Sequence, residues 1–122
     1  MKKIHLWMGN TTADEQTYFS YFQQEDEISQ FAKDIGLDGE YDEDMIGILN
    51  ISERPVPILE VLQKKVPIDI NSIPQAEIVI EQLGISTVNA AFYLTDSSVT
   101  IKEAYKKDYI GLSYIGVFKS AL

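Results

Sequence analysis

The chain has 122 residues, 45% of them apolar, no cysteine and a formal net charge of −9. That length predicts one domain, residues 1–122, able to bury a real core without metals or cross-links. The lack of cysteine excludes a disulfide framework, a thiolate nucleophile and any cysteine-based zinc or iron–sulfur site, and the negative charge repels nucleic acid and anionic lipid.

The first element predicted is a strand. From Lys3 to Met8, Ile4, Leu6 and Met8 alternate with Lys3, His5 and Trp7, and Gly9-Asn10 ends the pattern. Lys2-Lys3 and the apolar run resemble the start of an export signal, but the run breaks too early. No segment approaches the ~20 apolar residues of a membrane span, so a soluble, cytoplasmic protein is expected. Thr12-Ala13-Asp14-Glu15 has capping-box form and opens a helix with Tyr18, Phe19 and Phe22 on one face. Glu25-Asp26-Glu27 suits the first turn of a second helix, in which Ile28, Phe31, Ala32 and Ile35 recur at helical spacing before Gly36.

Leu37 to Asp44 reads as an acidic loop, and Met45 to Ile51 as a second strand with Ile46 and Ile48 on one face. Pro55 and Pro57 are expected to open a third helix, with a stripe of Ile58, Leu59, Val61, Leu62 and Val66 that Pro67 closes. Ser72 is placed as the cap of a fourth helix that runs to Leu83. Val88 to Leu94 is a third strand, Thr95 to Ser98 a turn, and Val99 to Tyr105 fits neither period. Leu112 to Phe118 closes the chain as a strand, with Leu112, Tyr114, Gly116 and Phe118 on one face. The fold class that follows is α+β: a mixed sheet of about four strands with helices packed on it.

The charge is local. Between Glu25 and Asp44 stand nine acids and one base, Lys33, a charge of −8; the rest of the chain, with ten acids and nine bases, carries −1. Such a segment is either a solvated face or a surface for a basic partner.

Chemistry-bearing motifs are sparse. His5 is the one histidine, with no nucleophile-elbow pattern to accompany it, and neither a Walker loop nor a dinucleotide-binding glycine pattern is present. Asp42, Glu43 and Asp44 offer carboxylates for a glycosidase-type general acid and base. Acids in a run, however, lie in solvent, away from the burial that acid catalysis at neutral pH needs. The stretch from Asp38 to Asp44 has acids at calcium-loop positions 1, 3, 5 and 7, but Glu43 stands where the loop needs glycine and Leu49 where it needs an acid. No catalytic residue, metal or cofactor is therefore assigned. The same loop suits binding: Tyr41 stands among Asp38, Glu40, Asp42, Glu43 and Asp44, either as an interface anchor or packed beneath the loop. Trp7 reads as core rather than as an exposed anchor.

Four stretches, in this order, carry a resemblance: His5-Leu6-Trp7-Met8-Gly9-Asn10, the helix bearing Tyr18, Phe19 and Phe22, Tyr41-Asp42-Glu43-Asp44-Met45-Ile46-Gly47, and Tyr114-Ile115-Gly116-Val117-Phe118. Together they resemble the immunity protein 22 family of bacterial polymorphic toxin systems, earlier catalogued as a domain of unknown function. The resemblance implies a non-enzymatic protein that neutralises a cognate toxin domain and protects the cell that makes it. The resemblance also implies a toxin that is often a nuclease in such systems, and often basic because it binds nucleic acid. The resemblance carries no inhibitory motif to individual residues; Trp7, Gly9, Gly47 and Gly116 read as fold features. The expected partner-binding residues are Asp38, Glu40, Tyr41, Asp42, Glu43 and Asp44, chosen by charge, with the helix faces around Asp14, Glu25 and Asp26 as the second choice. A small carboxylate-using enzyme and a housekeeping interaction adaptor are the alternative functions.

Overall fold

The computed structural model describes residues 2–24, 27–37, 39–96, 99–101 and 108–122. The expected helix turn at Glu25-Asp26, the site residue Asp38, and parts of the Thr95–Ser98 turn and of the Val99–Tyr105 segment lie outside the described residues.

The opening strand, β1 (Lys3–Gly9), alternates as its sequence requires, and every residue from Ile4 to Gly9 is buried. It lies inside a four-stranded sheet. β5 (Ala90–Leu94) pairs with one edge, β6 (Leu112–Lys119) with the other, and β2 (Ile46–Ile48) lies outside β5. All three pairings are antiparallel, so the four-stranded α+β architecture holds but the sheet is not mixed. The parallel pairing that a mixed sheet needs does not arise, because β1 and β2, which run one way, alternate with β5 and β6, which run the other, in the order β2-β5-β1-β6.

Because β1 has apolar residues on both sides, each face of the sheet carries a core. One is aliphatic. Ile4, Leu6 and Met8 meet Ile58, Val61 and Leu62 of α3 (Ile58–Lys64) and Ile73, Ala76 and Ile80 of α4 (Ile73–Gln82). The other is aromatic. Trp7, Phe92 and Leu112 meet Tyr18 of α1 (Glu15–Ser20), Phe31 of α2 (Gln30–Asp34), and Tyr21, Phe22, Tyr41 and Tyr109. Trp7 is fully buried, stacks on Phe92 at 4.9 Å and meets Phe31 edge-on at 5.2 Å. Among the described residues its Nε1–H finds no acceptor, and ring packing surrounds it.

Local chemistry moved several boundaries. Asp14, not Thr12, caps α1, its carboxylate accepting from the Thr17 N–H at 2.7 Å. Ser29 caps α2 through the Ala32 N–H, so Glu27 and Ile28 precede that helix. Pro55 does not enter a helix. Val56–Pro57 forms β3, paired with β4 (Thr87–Val88), and α3 begins after Pro57. Asn89 splits the expected 88–94 strand. Its side chain acts as a second backbone, accepting from the Thr11 N–H and donating to the Thr11 carbonyl.

The closing strand changes face midway. Leu6 pairs with Gly116 but Trp7 pairs with Tyr114, so Ile115 is an extra residue. Leu112 and Tyr114 point into the aromatic core, while Ile115 and Phe118 pack on the aliphatic one. This corrects the expectation of one face, and the bulge explains it. Gly116 sits at φ 144°, a conformation other residues rarely adopt.

At Gly47 the constraint is space. Tyr93 lies across it, and a Cβ there would fall 2.0 Å from Tyr93 Cζ. Gly47→Ala is expected to cost about 1–3 kcal/mol in urea unfolding by displacing that ring. The loss should shrink in a Tyr93→Ala background; an equal loss in both backgrounds would show that the ring is not the obstacle.

Candidate functional site

The acidic loop reaches β2 through a single turn of 3-10 helix, Glu43–Met45, which the Asp42 carboxylate caps at the Asp44 N–H (2.9 Å). Beneath it, Gln24 forms a clamp. Its Oε1 accepts from the Tyr41 N–H at 2.9 Å, and its Nε2 donates to the Tyr41 carbonyl at 3.1 Å and to Glu43 Oε1 at 3.3 Å. The Tyr41 side chain turns inward. It is 5% exposed, its hydroxyl donates to the Phe22 carbonyl, and its ring meets Phe31 edge-on. Burial pushes its phenol up to about 12, so it stays a neutral donor. Tyr41 therefore fastens the loop from below and is not the exposed anchor the sequence allowed, because the aromatic core offers its ring more contact than solvent does.

Of the other expected contact residues, Glu40, Asp42, Glu43 and Asp44 are exposed, in the segment that leads into the edge strand β2. Asp34, counted in the acidic segment, is withdrawn from that surface. It is buried and accepts hydrogen bonds from the Tyr21 hydroxyl (2.6 Å) and from Gln30 Nε2 (3.0 Å). Burial and the neighbouring Asp34 carboxylate hold the Tyr21 phenol well above its usual range. Neither Gln24 nor Asp34 was singled out from the sequence, where a lone glutamine and one more acid carry no signal of burial.

His5 is equally committed. It is 6% exposed, its Nε2–H donates to the Val99 carbonyl (3.1 Å), and Nδ1 is left to accept from the Tyr114 hydroxyl (2.9 Å). Both ring nitrogens thus serve to hold residues 99–101 and β6 together. The cleft beside it, about 310 Å³, is lined by Lys3, Val99, Thr100, Ile101 and Val117 as well as by this pair. Among the described residues, no group of three or more histidines and acids is placed to hold a metal ion. None of the helices among them is long and apolar enough to cross a membrane.

With this geometry in hand, comparison with known proteins gives one result. The model of the immunity protein 22 family matches residues 4–120. The chain belongs to the immunity protein 22 family. The match runs from β1 to the end of β6, so both cores and the acidic loop belong to the family domain. Neither a curated protein nor a solved structure gave a match.

Burial lowers the His5 pKa below 6.5; the Val99 carbonyl and Asp96 oppose the shift and Lys3 adds to it. A depressed histidine pKa means that the unfolded chain takes up its proton first as pH falls. Stability should thus be level above about pH 7 and fall as the solution is acidified from pH 6.5 toward the folded-state pKa. His5→Gln should remove that part of the slope in urea unfolding followed against pH; an unchanged slope would assign the dependence to other groups.

Proposed function

We propose that this chain is an immunity protein that binds a cognate toxin domain tightly and neutralises it in the cytoplasm of the cell that makes both. Membership of the immunity protein 22 family, over residues 4–120, is the observation that carries this reading. The surface supports it. Glu40, Asp42, Glu43 and Asp44 are exposed on a loop that Tyr41 and Gln24 hold in place, so little ordering is left to be done on binding. Asp38 adjoins them in sequence. Fixed carboxylates of this kind attract a basic protein surface, speed encounter, and can stand in for the phosphates of a nuclease substrate. Inhibition is by blockade: the inhibitor covers the basic surface at or beside the toxin's active site and performs no chemistry itself. The engagement of both His5 nitrogens within the fold favours this over a carboxylate-using enzyme.

Co-expression with the toxin domain encoded beside this gene tests the reading. Host survival only when this chain is present, together with a one-to-one complex on purification, is the expected result. Toxicity without rescue, or no complex, would overturn it. Reversing Glu40 and Asp44, whose side chains do not hold the loop, together to lysine should weaken the complex by about 10-fold or more while leaving the circular dichroism of the free protein unchanged. Undiminished affinity would move the interface elsewhere, the exposed side of α1 around Asp14 being next.

A further inference from the structure

β2 is an edge strand of only three residues, with the acidic loop at one end and a cavity at the other. Among the described residues no strand pairs with its outer edge. The Met45 carbonyl accepts from Thr95 and the Leu49 N–H donates to Ala91, so antiparallel alternation turns the N–H and C=O groups of Ile46 and Ile48 away from β5. Beyond Leu49 the chain parts from β5 and rejoins it where the Ser52 N–H reaches the Asn89 carbonyl. The partner positions on the sheet at this point are Ala90 and Ala91, too small to fill the gap. A cavity of about 310 Å³ results, walled by Leu49, Val56, Val61, Val88 and Ala91, with the exposed Lys65 among its lining residues. Two of its polar residues are committed within the fold, which leaves the Asn50 amide and Lys65 at its rim. Asn89 spends its side chain on Thr11, and Ser52 spends its hydroxyl on the Arg54 backbone.

The two ends differ in charge. Asp42, Glu43 and Asp44 precede β2, while Lys65 stands at the cavity after it. Even fully extended, the chain from Asp44 to Asn50 would span no more than about 20 Å, a length that fits across a standard interface patch of about 800 Å² per partner. A partner lying along this edge would meet acid first and an apolar pocket second. A cation at the pocket end would be repelled by Lys65, so the charges also fix its direction. Main-chain pairing to an open edge gives affinity in such an arrangement, and the pocket gives specificity.

We propose that β2 is the docking edge for the toxin, which lays an extended segment along it with a basic residue against Asp42–Asp44 and an apolar side chain in the cavity. This rests on the toxin-binding reading above. The test uses the intact chain and the catalytically inactivated toxin domain encoded beside it, titrated by calorimetry. Val61→Phe fills the cavity from α3, and Val56→Asp places a charge on its half-buried wall. Each is expected to weaken binding by about 30-fold or more, as loss of an anchor does, while Ile78→Asp, on the exposed side of α4, changes it by less than about two-fold. Should Val61→Phe fail to fold, Val56→Asp decides. Wild-type affinity in a folded cavity variant, with the lysine reversals of the acidic loop still disruptive, would overturn the docking edge and leave the immunity reading standing. Absence of any binding by the wild-type chain would overturn both.

Discussion

The central strand is hydrogen-bonded along both edges and buried on both faces, and the rest of the molecule is arranged by that requirement. A strand with Ile4, Leu6 and Met8 on one side and Trp7 on the other cannot leave either side to water. Burying a large apolar side chain is worth about 1.5–3 kcal/mol, so each face recruits its own helical layer. The aliphatic side takes α3 and α4. The aromatic side takes α1, α2 and the loop segments bearing Tyr41 and Tyr109, with Trp7 in ring contact with Phe31, Phe92, Tyr109 and Tyr114.

The acidic surface is a consequence of the aromatic layer. Tyr41 must reach Phe31 and the Phe22 carbonyl, and in doing so it draws the segment 39–44 over the edge of the sheet. The carboxylates on either side of it are left outside. The same tyrosine that looked like an interface anchor thus presents the anchor's neighbours, and the proposed binding function is carried by the residues that the core rejects. The cavity at the far end of β2 has a matching origin in the aliphatic layer, where the small side chain of Ala91 leaves room.

Strong periodicity made β1, the helix stripes and the fourth helix legible in the sequence, since Ile4–Met8 and Ile73–Gln82 each follow one period without interruption. What was hidden turned on single side chains competing for backbone partners: Asp14 over Thr12, Ser29 ahead of α2, Asn89 breaking a strand in two. The bulge at Ile115 inverted half of β6, and the sequence pattern of a flat strand contains no sign of it beyond Gly116. In the acidic loop, the run of charge is matched by the exposure of Glu40, Asp42, Glu43 and Asp44. Whether Tyr41 faced in or out depended on Phe22 and Phe31, which lie far from it in sequence. The alanine pair, flanked by Asn89, was the visible trace of the cavity, because small residues in a strand often mark a close approach or a gap.

Hydrogen–deuterium exchange of the free chain and of its complex with the toxin domain tests the central claim most directly. The account predicts protection across Glu40–Leu49, including the outward amides of Ile46 and Ile48, with the amides of α4 unchanged. Protection confined to α4, or to the α1 side around Asp14, with the β2 edge exchanging as in the free protein, would contradict it.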